Sequence, residues 1–303
     1  MTILVTGGAG FIGSHLVDKL ISKKHKVIIV DDLSTGQRKN LNPKAKFYKL
    51  KIQAGSLENV FKKEKPEAVF HLAAQMNVRK SIADPSFDAD TNILGTLNLL
   101  ENSVKYRIKK FIFISSGGAI YGDGVKIPTP ETASEKPISP YGIAKLSVEK
   151  YLYYYHCQYN LNYFVLRLAN IYGPRQNFQG EAGVVAIFCH NLKNNQPLYL
   201  NGGKQTRDFV YVADVVSACL KVLSAKKSDI YNIGTGRETT IDQLAKLSLK
   251  ISQKNSSIGR KPYIKGEQMK SCLSSAKIKK DLGWSPAFNL SVGLNETWKW
   301  FNV

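Results

Sequence analysis

A tyrosine and a lysine four residues apart form the pair of side chains in this sequence best suited to acid–base chemistry. Tyr141 and Lys145 lie near the start of a stretch with helical spacing of apolar residues, so both fall on one face of a helix. The lysine ammonium would stabilise the tyrosine phenolate, which can exchange a proton with a substrate hydroxyl. Such a pair alone is usually surface decoration, but Ser115 and Ser116 precede it and a glycine loop lies upstream, which favours catalysis.

That glycine loop indicates a bound dinucleotide. Gly7, Gly10 and Gly13 follow the first predicted strand in the order GxxGxxG, and a predicted helix begins at once. Gly7 and Gly10 let the backbone approach a pyrophosphate, and Gly13 lets helix and strand pack closely. A glycine-rich turn without ligand is the alternative. The next strand ends in Asp31, whose carboxylate suits ribose hydroxyls and repels a ribose phosphate, so we expect NAD rather than NADP as the hydride acceptor.

Further contacts to NAD are expected at the ends of the neighbouring strands. Small residues after the fourth strand would let a dinucleotide lie close to the backbone, although ordinary sheet packing explains them equally well. The residues expected to line this part of the site are Gly7, Gly10, Phe11, Ile12, Gly13, Asp31, Asp32, Leu33, Ser34, Leu72, Ala73, Ala74 and Gln75.

The order of the predicted elements brings these residues to one edge of a sheet. β-Branched runs predict strands at 2–6, 27–31, 47–50, 68–72, 110–115 and 163–168, and helical spacing predicts helices at 11–22, 57–63, 86–105 and 140–159. This alternation predicts an α/β fold with a doubly wound, Rossmann-like parallel sheet, whose ligands bind at the carboxyl ends of the strands.

Glycine and proline punctuate the chain after Gly173, which predicts a smaller C-terminal α/β lobe for the substrate. We expect an NAD-binding domain over residues 1–168, to which the chain returns around 205–225. The remainder, 169–303, is expected mainly to bind the substrate.

The composition predicts a soluble protein that needs neither disulfides nor zinc. The 43 lysines and arginines exceed the 23 acidic residues by 20, which could indicate a nucleic-acid partner. They spread along the whole chain without a nucleic-acid-binding signature, so we expect a solvated basic surface instead. The four cysteines show no CxxC spacing, and neither a signal sequence nor an apolar run of membrane-spanning length is evident. We therefore expect a cytoplasmic protein without nucleic-acid or membrane partners.

Four segments together resemble the UDP-glucose 4-epimerase branch of the extended short-chain dehydrogenases, and the match spans nearly the whole chain. The segments read TGGAGFIG, SPYGIAK, LRLANIYGPR and QTRDFVYVADV. The resemblance implies an NAD-dependent isomerase that interconverts UDP-galactose and UDP-glucose through a 4-keto sugar, with Ser116, Tyr141 and Lys145 as catalytic residues. It also adds Ile52 and Asn92 to the NAD site, together with Tyr141 and Lys145, and implies a homodimer.

The position of the catalytic hydroxyl departs from the family pattern. In many relatives this residue lies one place nearer the following Tyr-Gly, at the position of Gly117 here. Ser116, or else Ser115, would therefore depend on a shifted turn. A further departure is Lys51, which stands where relatives usually have an acidic residue for the adenine amino group.

The resemblance also implies which residues bind the UDP-hexose, besides Ser116 and Tyr141. Asn170 and Arg207 match residues that bind the diphosphate, although a salt bridge with Asp208 or another carboxylate is the alternative for Arg207. Leu200 lies where relatives often have an aromatic residue beside the uracil. Lys265 could replace an arginine that commonly contacts a phosphate.

Ser271 falls at a position whose bulk helps to decide whether an N-acetyl group fits beside the sugar. Because serine is small, we expect UDP-N-acetylhexosamines to be accepted as well.

The sequence also leaves other functions open. A 4,6-dehydratase needs an acid pair where this chain has Gly117-Gly118, but a UDP-glucuronate decarboxylase or a keto-sugar reductase is harder to exclude. A non-catalytic dinucleotide sensor is disfavoured by the intact tyrosine and lysine. The predicted helices 86–105 and 140–159 would form the dimer contact, where Tyr151, Tyr153, Tyr154 and Tyr155 serve the interface or the core.

Overall fold

A seven-stranded parallel sheet forms the centre of the computed structural model, which describes residues 1–179, 183–263 and 268–303. The strands are β1 (Thr2–Thr6), β2 (Lys26–Asp31), β3 (Lys46–Lys49), β4 (Ala68–His71), β5 (Lys110–Ser116), β6 (Tyr163–Leu168), β7 (Asn170–Tyr172), β8 (Leu198–Asn201), β9 (Thr206–Arg207), β10 (Phe209–Tyr211), β11 (Asp229–Ile233), β12 (Thr239–Thr240) and β13 (Ile258–Lys261). The order in the main sheet is β11-β6-β5-β4-β1-β2-β3, and the other strands form the pairs β10-β7, β12-β9 and β13-β8.

Helices cover both faces of this sheet and also form much of the C-terminal part of the chain. They are α1 (Phe11–Ser22), α2 (Leu57–Glu64), α3 (Val78–Ala83), α4 (Pro85–Ala89), α5 (Gly95–Lys105), α6 (Gly117–Ile120), α7 (Pro140–Tyr159), α8 (Val184–Lys193), α9 (Val212–Ser224), α10 (Ile241–Ser252), α11 (Ala276–Leu282) and α12 (Leu290–Asn302). A π turn over Asp90–Leu94 joins α4 to α5, and a 3-10 turn spans Arg38–Asn40. Within the described ranges, no helix is both long and apolar enough to cross a membrane.

The alternation of side chains along each strand explains why both faces are covered. Ile3 and Val5 of β1 pack with α1 and α9 on one face, whereas Leu4 packs with α2, α5 and α7 on the other. Strands buried on both faces are apolar at nearly every position, as in β2, where Val27 to Val30 are all at most 2% exposed. The predicted doubly wound parallel sheet is confirmed.

The strand order reverses at β1, and this reversal locates the ligand crevice. β1 pairs with β2 on one side and with β4 on the other. The chain leaves β1 toward β2 but leaves β4 toward β5, so these two connections run in opposite directions. A crevice therefore opens at the carboxyl end of β1. The glycine loop, Asp31 and the residues after β4 all follow strands at this edge.

Two features differ from the elements predicted from sequence. The sheet contains a seventh strand, β11, which pairs in parallel with β6. The predicted helix 86–105 is interrupted by the π turn, which begins one residue after α4. A separate apolar cluster joins α8, α10 and α12 to β8 and β10 in the C-terminal part of the chain.

Candidate active site

The glycine loop after β1 folds tightly against the residues that follow β4. Gly7 has a φ of +70°, and a Cβ on it would lie 2.7 Å from the Ala73 nitrogen. A Cβ on Gly13 would lie 2.1 Å from the Gly7 carbonyl oxygen, so neither position accepts a side chain. Gly10 caps α1 without a side-chain hydrogen bond, and the first turn of α1 carries no acidic residue. This close turn and the free helix amides fit the pyrophosphate of a dinucleotide.

Asp31 joins the end of β2 to the glycine loop. Its Oδ2 accepts a hydrogen bond from the Ala9 nitrogen at 2.9 Å, and its Oδ1 accepts one from the Leu33 nitrogen at 2.8 Å. Burial raises the pKa of this carboxyl above its usual range. Because a carboxylate has about four acceptor positions, it retains capacity for ribose hydroxyls. The adjacent turn is held by Asp32, whose Oδ1 accepts from the nitrogen and hydroxyl of Ser34.

The remaining residues predicted for the NAD site lie around the same crevice. Leu72, Ala73, Ala74 and Gln75 follow β4 and are partly exposed, as are Phe11 and Ile12 at the start of α1. Ile52 is 5% exposed and its carbonyl accepts a hydrogen bond from Asn98 of α5 at 2.7 Å. The loop after β3 is thereby attached to α5.

Asn92 lies in the π turn and holds the segment after β4. Its Oδ1 accepts from the Gln75 nitrogen at 2.9 Å, and its Nδ2 donates to the Gln75 carbonyl at 2.9 Å. Asn92 is 4% exposed and therefore is not a helix-surface residue. Single π turns often occur at functional sites because they redirect the helix locally.

A buried histidine that the sequence reasoning missed connects β1, β4 and the π turn. The Thr96 hydroxyl donates to the Asn92 carbonyl at 2.7 Å, so the His71 Nε2 must donate to Thr96 and its Nδ1 must accept from Thr6. Burial lowers the pKa of His71 to about 3, which keeps the ring neutral and this arrangement intact. The sequence signal that could have revealed this residue is its position at the end of the buried strand β4.

Tyr141 and Lys145 lie in the first turns of α7, as their spacing predicted. Pro140 and the side chain of Ser139, which accepts from the Gly142 nitrogen at 3.2 Å, fix the start of this helix. The Lys145 Nζ lies 5.7 Å from the centre of the Tyr141 ring and donates to the Ile114 carbonyl at 2.9 Å. Lys145 is buried, which lowers its pKa to about 8, whereas Tyr141 is partly exposed. The tyrosine is therefore the member of the pair that a ligand can reach.

The two serines at the end of β5 have different surroundings. Ser115 is 3% exposed, and its hydroxyl donates to Glu149 at 2.6 Å. Ser116 is partly exposed and caps α6 at the carboxyl edge of the sheet. A Cβ on the next residue, Gly117, would lie 2.5 Å from the side chain of Leu273, so the turn after Ser116 packs closely beneath the C-terminal segment.

Most of the residues predicted to bind the substrate lie on segments that pass the carboxyl edge of the sheet. Asn170 opens β7, where its nitrogen donates to the Asp208 carbonyl at 2.9 Å, and Arg207 precedes Asp208. The Asp208 carboxylate accepts from the nitrogens of Thr235 and Leu273. These backbone contacts hold the segment that carries Arg207.

Ser271 and Leu200 have different surroundings. The Ser271 hydroxyl would lie 3.8 Å from a Cβ on Gly118, which places Ser271 next to the first turn after Ser116. Leu200 is 1% exposed and packs in the C-terminal apolar cluster. Lys265 lies outside the described residues.

Comparisons with known proteins agree with this geometry. Residues 3–234 match the NAD dependent epimerase/dehydratase family. The chain is 52% identical to UDP-glucose 4-epimerase from Thermotoga maritima, solved with UDP-glucose, with a TM-score of 0.98 over 99% of this chain and 98% of that one. It is 38% identical to the Thermus thermophilus UDP-glucose 4-epimerase solved with NAD, with a TM-score of 0.94 and 99% of each chain covered.

UDP-glucose 4-epimerase of Mycolicibacterium smegmatis is 38% identical over 99% of this chain and 98% of its own length. These similarities confirm the family resemblance drawn from the four sequence segments.

Proposed function

Because this chain belongs to the NAD dependent epimerase/dehydratase family, we propose that it is a UDP-glucose 4-epimerase, which interconverts UDP-galactose and UDP-glucose. The observation that carries this proposal is the pairing of a partly exposed Tyr141 with a buried Lys145 at the edge that holds the glycine loop. Gly117 and Gly118 stand where a 4,6-dehydratase would need an acid pair. The site therefore supports proton exchange at one hydroxyl without elimination.

NAD would be held by the glycine loop and α1 at its pyrophosphate and by Asp31 at its ribose. When bound, NAD would supply reversible hydride transfer at C4 of the sugar, with removal from one face and return to the opposite face of that carbon. Tyr141 removes the proton of the C4 hydroxyl and gives it back, and the Lys145 ammonium stabilises the phenolate. Ser116 donates a hydrogen bond to the same sugar oxygen, which acquires carbonyl character.

The substrate side would bind the nucleotide through residues on several segments. Asn170, Arg207 and Lys265 would contact the diphosphate, for which a guanidinium fork is well suited. Leu200 is the residue expected beside the uracil, but its side chain is 1% exposed and would have to become accessible to contact the base. The small Ser271 beside Gly118 leaves room for an N-acetyl group, so UDP-N-acetylglucosamine should be turned over and a Ser271→Phe variant should lose that activity selectively.

Product analysis by NMR after incubation with UDP-galactose tests the proposed reaction. We expect UDP-glucose to accumulate to an equilibrium mixture without net consumption of NAD. Parallel incubations contain UDP-glucuronate, or a 4-keto nucleotide sugar with NADH. Carbon dioxide release in the first or NADH oxidation in the second, without any UDP-glucose from UDP-galactose, would identify a decarboxylase or reductase instead.

The domain division proposed from the sequence is supported by the core packing. Val215, Ala218 and Val222 of α9 pack with β1 and α1, which supports a return of the chain to the NAD-binding domain of residues 1–168. The C-terminal apolar cluster supports a separate lobe within 169–303.

We propose the cytoplasm, where both UDP-sugars and NAD are available, as the location of the protein. The four cysteines form no disulfides, which agrees with this location.

We further propose a homodimer through α3 to α5 and α7. Tyr155 belongs to the sheet core, but Tyr153 and other apolar side chains of these helices are exposed. They are Ile82, Phe87, Leu94, Ile143, Tyr151 and Tyr154. Several exposed apolar side chains on neighbouring helices often mark an interface. Light scattering should give twice the chain mass, and a Leu94→Lys, Tyr154→Lys variant should give the monomer mass.

A further inference from the structure

Asp88 is a buried carboxylate whose hydrogen bonds are only partly satisfied. It lies in α4, is 1% exposed, and its Oδ1 accepts from the Gln75 Nε2 at 2.8 Å and the Asn92 Nδ2 at 3.0 Å. Its Oδ2 is buried as well and has no hydrogen-bond partner within the described part of the chain. Buried carboxylates are normally compensated by donors or by a positive charge. The two neutral donors on Oδ1 leave the charge of Asp88 largely uncompensated.

Lys145 is a buried cation on the neighbouring helix α7. α4 packs against α7, and the charges of Asp88 and of Glu149, one turn further along α7, both act against the lowering of the Lys145 pKa by burial. Glu149 is already paired with Arg167, with an oxygen–nitrogen distance of 2.5 Å. Lys145 is buried and an ammonium has three donors, of which the Ile114 carbonyl accepts one.

Two of the other groups around Lys145, His71 and Phe113, supply no negative charge at neutral pH. From the sheet side, His71 of β4 is neutral, because burial lowers its pKa to about 3. The Phe113 ring of β5 lies 4.6 Å from Nζ, and the Tyr141 ring of α7 lies 5.7 Å away. Burial alone would favour the neutral amine, so a nearby carboxylate is needed to keep the proton on Lys145.

We propose that Asp88 is a positioning residue that keeps the buried Lys145 protonated and so keeps Tyr141 available as a base. The two residues act on each other through the α4–α7 contact. The same carboxylate orients Asn92 and Gln75 beside the NAD crevice, so one side chain joins the cofactor side of the site to the acid–base pair. This inference rests on the function proposed for Lys145, but its main test needs no turnover.

Asp88→Asn removes the charge and keeps an oxygen that can accept from Gln75 and Asn92. We expect the titration midpoint of Lys145, followed by NMR of ¹³Cε-labelled lysine in the NAD-loaded protein, to fall by about one pH unit or more. The reason is that loss of the carboxylate favours the neutral amine. The alkaline limb of the kcat profile with UDP-galactose should move to lower pH in the same direction. An unchanged Lys145 midpoint would overturn the proposal, whether or not UDP-galactose is a substrate.

Asp90→Asn is the matched control, because Asp90 is an exposed carboxylate in the adjoining π turn whose Oδ2 accepts from Gln53 at 3.1 Å. Its replacement should leave the Lys145 midpoint unchanged, and an equal fall in both variants would contradict a specific pairing. A thermal cycle with Lys145→Met covers the case in which Asp88→Asn folds poorly. Asp88→Asn should lower the Tm of the unmodified protein but maintain or raise that of Lys145→Met. Equal lowering in both backgrounds would show that the carboxylate does not act through Lys145.

Discussion

Lys145 and Glu149 lie one turn apart on α7, and each belongs to a buried cluster of charged side chains. The two clusters differ in how completely their charged groups are paired and hydrogen-bonded. The arginine cluster consists of Arg167 with Glu149, Glu135, Ser115 and Tyr121. Arg167 is 1% exposed and donates to both Glu149 oxygens, to Glu135 at 2.7 Å and to the Tyr121 hydroxyl at 2.8 Å. Every charge in this cluster has a partner of opposite sign, which raises the pKa of Arg167 despite its burial.

The lysine cluster, which consists of Lys145 with Asp88, Tyr141 and Ser116, is arranged differently. Lys145 donates to a neutral carbonyl, one oxygen of Asp88 has no hydrogen-bond partner among the described residues, and Ser116 is partly exposed. Burial lowers the pKa of Lys145 to about 8, close to the pH at which the enzyme would work. The comparison indicates that a cluster whose hydrogen bonds and charges are all paired stabilises the fold. A cluster with unused hydrogen-bonding groups retains donors and protons for a ligand.

The largest expected effect comes from removing the proton carrier of the lysine cluster. Tyr141→Phe should lower kcat for UDP-galactose by about 10³- to 10⁴-fold, because it removes the hydroxyl that exchanges the proton. Its Tm should remain within a few degrees of the unmodified value. Steady-state kinetics and thermal melting measure the two quantities. Normal epimerisation by Tyr141→Phe would refute the assignment of the lysine cluster to catalysis.

The arginine cluster should respond in stability instead. Glu149→Gln leaves Arg167 with a buried, incompletely compensated charge, and we expect a loss of about 3–5 kcal/mol in the free energy of unfolding by urea. Lys150→Gln is the control, because Lys150 is 67% exposed and lies 3.6 Å from Glu135. It should change stability by less than about 0.5 kcal/mol. If both variants lost similar stability, burial would not be what distinguishes the arginine cluster.

The sequence was sufficient to predict the parts of the site that depend on local spacing. The GxxGxxG loop, Asp31 at the end of β2 and the Tyr141–Lys145 pair are set within one turn or one strand, and six of the seven sheet strands follow from short apolar runs. β11 was missed because its polar Asp229 and Asn232 interrupt the apolar pattern, although Asn232 is fully buried.

Contacts between distant segments could not be predicted in the same way. Asp88 and Lys145 are separated by 57 positions in the sequence, and nothing in the spacing of either residue indicates the other. The pairing of Ser115 with Glu149 also depends on how β5 packs against α7. Ser115 and Ser116 looked equivalent in the sequence. Their roles differ only because neighbouring side chains on a strand point to opposite faces of the sheet.

The smallest expected effect, and the finest test of the two clusters, comes from these adjacent serines. Ser116→Ala should lower kcat by about 10²-fold, because it removes one donor to the sugar oxygen, and should leave stability unchanged. Ser115→Ala should retain kcat within a few-fold and lose about 1–2 kcal/mol of stability, because the Glu149 carboxylate loses its 2.6 Å hydrogen bond. Steady-state kinetics and urea unfolding of both variants measure these opposite effects on kcat and on stability. The reverse pattern would assign the catalytic hydroxyl to Ser115 and would require β5 to present that side chain to the crevice.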